Sequence, residues 1–221
     1  ERGMTDAIRE ALIEKARAAA ARLPVQFGRV AVLVDSSQSM IGHHTQSRRP
    51  IATALALRDM LASTAEESVL VTSDGAPSPV AELVAPSGDT SLAGGLVRLL
   101  RADPDAVFVL TDGYENAPAG RFAEIVSAVR RMGVQTPIHQ FSPVLAAESQ
   151  GVRALCESVP AMPVSKPEAI GLGLLKVMME ADVDRGVAAL FGMTNVAGNL
   201  PAVHSDRLEV GPTEEVTHGI S

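Results

Sequence analysis

The sequence predicts an α/β fold: a doubly wound, Rossmann-like, mostly parallel sheet with one antiparallel edge strand and helices on both faces. Short runs rich in valine and leucine alternate along the chain with segments whose apolar residues recur at helical spacing. The runs lack polar alternation, which is typical of strands buried on both faces. The composition, 46% hydrophobic and 20% charged, suits a packed core. Such alternation requires right-handed crossovers between parallel strands.

The elements follow in order along the chain. The first is an amphipathic helix over 5–23, rich in strong helix formers and closed by Pro24. Buried strands are predicted at 30–34, 69–72, 107–110, 138–141 and 162–164. Further helices are predicted at 50–65, 92–100, 122–132, 152–157 and 169–180, the last opened by a Ser165–Glu168 capping box.

One segment departs from the alternation of strand and helix. Residues 73–77 read Ser-Asp-Gly-Ala-Pro, which is strong turn chemistry, and a short apolar run at 80–85 follows. This pattern predicts a hairpin to the antiparallel edge strand, with Asp74 as a turn residue. The resulting organisation is a lead-in helix (1–28), one α/β domain (29–182) and a C-terminal extension (183–221) that docks in part.

Composition also restricts the function. The formal net charge of −7 argues against a general nucleic-acid binder, which needs a basic face. No apolar run reaches the roughly 18 residues of a membrane helix, so membrane insertion is not expected. The single cysteine, Cys156, permits no intrachain disulfide. With no secretory signal visible, a cytoplasmic location is expected.

Acidic and hydroxyl side chains follow two of the predicted strands. Asp35, Ser37 and Ser39 come after the first strand, and Asp112 ends a later one. If the hairpin takes the second strand to one side, Asp35 and Asp112 flank the point where the strand order reverses, where open α/β sheets bind ligands. The loop 87–92 could bring a hydroxyl to the same crevice. An oxygen-only donor set suits Mg²⁺, Mn²⁺ or Ca²⁺, with a coordination position left for an acidic group.

The pattern Asp-x-Ser-x-Ser at 35–39, followed by Thr90 and Asp112, closely resembles the metal-ion-dependent adhesion site of von Willebrand factor type A domains. The resemblance covers about residues 29–182. It implies that Ser37, Ser39 and Thr90 are hydroxyl ligands and that Asp35 and Asp112 are the carboxylates, some acting through water. It also implies a protein-interaction module, not an enzyme, in which a partner's Glu or Asp completes the coordination. Without a disulfide, the chain resembles the intracellular members of the family.

Three positions depart from the family pattern. Ser36 and Gln38 stand where small residues such as glycine are often found. Asp89, just before Thr90, could lie behind the ligands, bind metal itself or cap the next helix, and the cap is the favoured interpretation.

A rim around the crevice is the predicted partner-binding surface. Arg48 and Arg49 would favour an acidic ligand and speed its encounter. The adjacent histidines fit exposed loop residues better than a second metal site, and the segment after Asp112 is either rim or solvated loop. The candidate rim residues are His43, His44, Arg48, Arg49, Asp89, Tyr114 and Glu115.

Two other functions compete with this one. A Mg²⁺-dependent phosphatase or phosphotransferase of the haloacid dehalogenase kind also carries an Asp after its first strand. Such enzymes usually need a second Asp two residues later, where this chain has Ser37, and the lysines at 15, 166 and 176 fall outside the predicted crevice. The other alternative is a scaffold with a degenerate metal site. The sequence lacks a nucleophile elbow, a Walker loop and a dinucleotide fingerprint.

Overall fold

The computed structural model describes residues 5–23, 26–42, 48–143, 152–164 and 167–197. The strands are β1 Phe27–Val34, β2 Ala65–Thr72, β3 Ala106–Leu110, β4 Ile138–Ser142 and β5 Ala161–Pro163. The helices are α1 Asp6–Ala20, α2 Arg49–Ser63, α3 Ala93–Leu100, α4 Arg121–Arg131, α5 Pro167–Ala181 and α6 Val183–Ala197. A short 3-10 helix, Gln38–Ile41, follows β1.

The five strands form one sheet in the order β2-β1-β3-β4-β5, and every pair is parallel. This order confirms the doubly wound, Rossmann-like prediction. The strand β1 lies between β2 and β3, with Val34 aligned to Thr72 on one side and to Leu110 on the other. The strand order therefore reverses between β1 and β3, at their carboxyl ends.

Hydrophobic clusters cover both faces of the sheet. On one face, Val32 and Phe108 lie in a cluster with residues of α2 and α5. On the other face, Leu33 and Val109 lie in a cluster with residues of α3 and α4. The fully buried strand residues explain why their runs carried no polar alternation.

The predicted antiparallel edge strand at 80–85 is wrong. Only a single bridge, between Val71 and Pro77, follows the turn, and 80–85 forms no strand. Pro79 and Pro86, which flank this segment, lack amide donors for a ladder. The chain is instead held by α2: the buried Arg58 guanidinium donates to Ser78 Oγ (2.7 Å) and to the Glu82 carbonyl (3.0 Å).

Arg58 is itself held by its neighbour on α2. Its Nη2 lies 2.7 Å from Asp59 Oδ1, and the two side chains are 0% and 9% exposed. The other Asp59 carboxylate oxygen accepts from the Ala81 amide at 3.2 Å. The buried Arg58–Asp59 pair therefore holds residues 78–82, the first part of the chain that leads from β2 to Thr90.

One further segment differs from its prediction. Residues 152–157 form no helix: the buried Gln140 side chain accepts from the Leu155 amide and donates to the Arg153 carbonyl, both at 2.9 Å. The C-terminal extension predicted over 183–221 begins with α6, which packs on α5. Gly186 allows this close approach, since a Cβ there would lie 2.4 Å from Met179 Cγ.

The helix α1 matches its prediction, with Thr5 as its N-cap accepting from the Ile8 amide at 3.3 Å. Of the capping box proposed for α5, Ser165 and Lys166 lie outside the described residues. None of the helices in the described part of the chain is long and apolar enough to cross a membrane.

Candidate metal centre

The two predicted carboxylates follow neighbouring strands. The Asp35 amide donates to the Leu110 carbonyl at 2.9 Å, which extends the pairing of β1 with β3 by one residue. Asp112 comes two residues after Leu110 on β3. Both side chains are buried, with residue exposures of 0% and 8%. The strand order thus places Asp35 and Asp112 at the same edge of the sheet, as the sequence predicted.

Both carboxylate oxygens of Asp35 are oriented by hydrogen bonds. Its Oδ1 accepts from the Ser37 amide at 2.9 Å, and its Oδ2 accepts from Thr111 Oγ1 at 2.6 Å. The Thr111 hydroxyl accepts in turn from the Gly113 amide at 3.1 Å. Sequence reasoning did not assign a role to Thr111. Its position directly before Asp112 was the only available signal.

The surroundings of Asp35 act on the pKa of its carboxyl in both directions. Burial raises the pKa of the Asp35 carboxyl, and the negative charge of Asp112 raises it further. The hydrogen bonds from Thr111 and Ser37 act in the opposite direction and lower that pKa. Ionised Asp35 is therefore held in place but poorly solvated, and Asp112 is close enough to repel it.

The two predicted serine ligands contact each other. Ser37 Oγ lies 3.0 Å from Ser39 Oγ, with Ser37 2% exposed at the start of the 3-10 helix. In an octahedral site with Mg–O distances of about 2.05 Å, adjacent ligand oxygens are about 2.9 Å apart. The two hydroxyls are hydrogen-bonded to each other here, and their separation is also close to one edge of such an octahedron.

Thr90 and Asp112 are fixed by the loop that follows β3. Asp112 Oδ1 accepts from the Tyr114 amide at 3.0 Å, and no hydrogen bond to its Oδ2 occurs within the described residues. The buried Thr90 donates its amide to Asn116 Oδ1 at 2.8 Å, and its carbonyl accepts from the Asn116 and Ala117 amides. The Thr90 loop and the Asp112 loop are thus tied together.

The loop after β1 is tied to its neighbours as well. The Ser36 carbonyl accepts from the Ser87 amide at 2.8 Å, and the Gln38 amide donates to the Gly88 carbonyl at 3.1 Å. Ser36 Oγ lies 2.9 Å from Ser73 Oγ, directly after β2. Ser36, a departure from the family pattern, therefore connects the candidate site to β2 through its hydroxyl.

The donor set is restricted to oxygen. Within the ranges that the structure describes, no group of three or more His, Cys, Asp or Glu side chains could hold a metal ion. Any ion here would depend on two carboxylates together with hydroxyls. Such donors fit Mg²⁺, Mn²⁺ or Ca²⁺ and do not suit zinc or copper.

The predicted rim is partly described. Arg48 and Arg49 are exposed at the start of α2, whereas His43 and His44 lie outside the described residues. Asp89 is exposed, and its favoured role as a helix cap is wrong. The helix α3 begins at Ala93, too far along the chain for Asp89 to be its N-cap, and the residue in that position is Leu92.

The segment after Asp112 divides into two parts. Tyr114 is 50% exposed, and the Arg153 guanidinium carbon lies 4.6 Å from the centre of its ring. Glu115 faces α4 instead, where its Oε2 accepts from the Phe122 amide at 2.8 Å. Sequence reasoning missed Arg153 because it assigned this segment to a helix.

The lysines considered for phosphoryl chemistry lie on different elements. Lys15 is exposed on α1, and Lys176 on α5 has its Nζ 3.7 Å from Glu180 Oε1. Lys166 is outside the described part of the chain.

No protein-family model matches the chain, and none of the curated proteins compared with it matches either. The resemblance to von Willebrand factor type A domains therefore depends on the residue pattern and remains a prediction.

Proposed function

We propose that this chain is a divalent-metal-dependent protein-interaction module of the von Willebrand factor type A kind and not an enzyme. Asp35, Ser37, Ser39, Thr90 and Asp112 hold Mg²⁺, or Mn²⁺ or Ca²⁺ in its place. A Glu or Asp side chain of a protein partner takes the remaining coordination position. The observation that carries this proposal is the 3.0 Å separation of the Ser37 and Ser39 hydroxyls beside two buried carboxylates.

Charge balance supports a bound cation. Two carboxylates share a buried edge of the sheet, and the negative charge of Asp112 disfavours ionisation of Asp35. A divalent cation supplies the positive charge that offsets both and attracts a third, incoming carboxylate. The chain's own contribution is orientation: Thr111 and the Ser37 amide hold Asp35, and the Tyr114 amide holds Asp112.

The surroundings of the site favour binding over catalysis. The described groups in contact with Asp35 and Asp112 are hydroxyls and backbone amides, which position the carboxylates. Arg48 and Arg49 at the start of α2 add positive charge at the same edge, which favours an acidic partner.

Thermal unfolding with Mg²⁺ or with EDTA tests the proposal. A ligand that binds only the folded state adds about 2.7 kcal/mol at a hundredfold excess over Kd. Wild type should be stabilised by Mg²⁺, and Asp112→Ala should lose the effect. If Mg²⁺ and Mn²⁺ leave the wild-type transition unchanged, the proposal fails.

Asp74→Asn is the matched control. Asp74 is also an acidic residue directly beyond a strand, but its Oδ1 accepts from the Thr72 hydroxyl and the Ala76 amide within a turn. This variant removes one negative charge at the same edge of the sheet and should keep the Mg²⁺ effect. Loss of the effect in Asp74→Asn would indicate nonspecific attraction of the cation and would also contradict the proposal.

A further inference from the structure

Arg153 and Tyr114 form an exposed cationic surface next to the candidate metal centre. The guanidinium carbon of Arg153 lies 4.6 Å from the centre of the Tyr114 ring, a cation–π arrangement. Both side chains are exposed. We call these two residues the Tyr-Arg platform.

The backbone beneath the platform is fixed. The buried Gln140 side chain on β4 bonds the Arg153 carbonyl and the Leu155 amide, both at 2.9 Å. Gly113 has φ +87°, and a Cβ at this position would lie 2.2 Å from the Arg153 carbonyl oxygen. The chain at Arg153 therefore rests directly on the residue that follows Asp112.

The other half of the platform is attached to the site itself. Tyr114 is two residues after Asp112, a proposed metal ligand. The Tyr114 backbone amide donates to Asp112 Oδ1, which fixes the position of the residue that carries the ring. The aromatic ring restricts the guanidinium, which lowers the entropy that Arg153 loses when it binds a ligand.

Arg153 has unused hydrogen-bonding capacity. Its guanidinium makes no ion pair or side-chain hydrogen bond with the described residues, whereas Arg29, Arg58 and Arg121 each pair with a carboxylate. The guanidinium lies over the ring and keeps N–H donors that no described residue uses, and such donors match a carboxylate in a bidentate manner.

We infer that Arg153 determines specificity at this surface by binding a second carboxylate of the partner. The inference rests on the proposed function, in which the first carboxylate binds the metal. The partner is then an acidic protein segment with at least two acidic side chains close together. One reaches the metal, and the other reaches Arg153 beside Tyr114.

Synthetic peptides test this inference. One short alanine-based peptide carries a single glutamate, and a series carries a second glutamate one to four residues away. Binding to the full chain is measured by NMR titration at saturating Mg²⁺. At least one two-glutamate peptide should bind wild type about fivefold more tightly than the single-glutamate peptide, the size of a good exposed charge contact.

Variants assign the gain to Arg153. Arg153→Ala should abolish the fivefold advantage and leave Mg²⁺ binding unchanged, and Arg153→Lys should keep part of it because the charge remains. Arg131→Ala is the control: it removes the same charge from an exposed position at the far end of α4, and it should keep the advantage.

The inference is overturned if no two-glutamate peptide binds wild type more tightly, which includes the absence of any peptide binding. It is also overturned if Arg153→Ala keeps the advantage or Arg131→Ala loses it. Failure of the proposed function is a separate result, because wild type would then not bind Mg²⁺ alone.

Discussion

Replacing Thr111 with valine should destabilise the metal-free protein, and should do so more at neutral than at acidic pH. Valine has nearly the same shape as threonine but lacks the hydroxyl. That hydroxyl donates to Asp35 Oδ2 at 2.6 Å and accepts from the Gly113 amide at 3.1 Å. Thr111 and Asp35 are fully buried, so water does not replace these bonds readily.

The magnitude follows from the two lost bonds. A hydrogen bond to a charged group contributes about 1.5–3 kcal/mol, and a buried donor left unpaired costs about 1–3 kcal/mol. Since neighbouring effects are not additive, we expect Thr111→Val to lose about 3 kcal/mol of unfolding free energy at neutral pH.

The pH dependence follows from the pKa of Asp35. Burial raises this pKa, and the Thr111 hydroxyl lowers it. A group whose pKa is higher in the folded state than in the unfolded state stabilises the fold while it is protonated. This contribution is complete below the unfolded-state pKa, which is about 3.9 for Asp. It is lost as the pH rises through the folded-state pKa. Thr111→Val raises the pKa of Asp35 further, so the variant loses more stability over this rise than wild type does.

Urea denaturation in EDTA, at neutral pH and near pH 4, measures the difference from wild type. Thr64→Val is the matched control, because the buried Thr64 hydroxyl donates to the neutral Leu61 carbonyl at 2.8 Å. The control should lose about 1 kcal/mol at both pH values. If Thr111→Val shows the same loss at both pH values, the assigned role of Thr111 is refuted.

Three more substitutions test the scaffold. Arg58→Met should cost about 3–5 kcal/mol in urea unfolding because it leaves Asp59 buried without its cation, and a loss below about 1 kcal/mol would contradict the buried clamp. Gly113→Ala should be less stable than Gly120→Ala by about 2 kcal/mol in urea unfolding. Both glycines have positive φ, but only Gly113 faces a neighbouring backbone, and equal stabilities of the two variants would rule out that contact. Asn116→Ala should speed hydrogen exchange at the Thr90 amide, and unchanged protection would show that the 2.8 Å bond does not hold this loop.

The sheet could be predicted from the sequence because burial on both faces leaves a clear signal. Residues 30–34 and 107–110 are continuous apolar runs, and the structure places them as adjacent central strands, β1 and β3. The position of Asp35 and Asp112 at one edge then follows from the topology of parallel strands.

The wrong elements share a physical cause: side chains remote in sequence hold the local backbone. The segment 80–85 is bound by Arg58 and Asp59 of α2, and 152–157 is bound by Gln140 of β4. The residue pattern within a segment does not indicate contacts with side chains that are remote in sequence. The apolar content of both segments, with the turn chemistry at 73–77, therefore predicts regular elements that these contacts replace.

The candidate metal centre was likewise predictable only in part from the sequence. The resemblance carried by the Asp-x-Ser-x-Ser pattern predicts the proposed ligand set, but the support from Thr111 and Asn116 needed the structure. Arg153 was missed for the same reason, since its place over Tyr114 depends on Gln140 and Gly113.

Calorimetric titration of Mg²⁺ into the wild type and into a Ser37→Ala, Ser39→Ala double variant tests the metal site most directly. The two hydroxyls lie 3.0 Å apart, and their removal leaves the bonds from the Ser37 amide and the Thr111 hydroxyl to Asp35 in place. We expect wild type to bind one Mg²⁺ per chain and the double variant, with an intact fold, to lose that binding. Absence of binding to wild type, or the same affinity in the double variant, would rule out a metal site built on these hydroxyls.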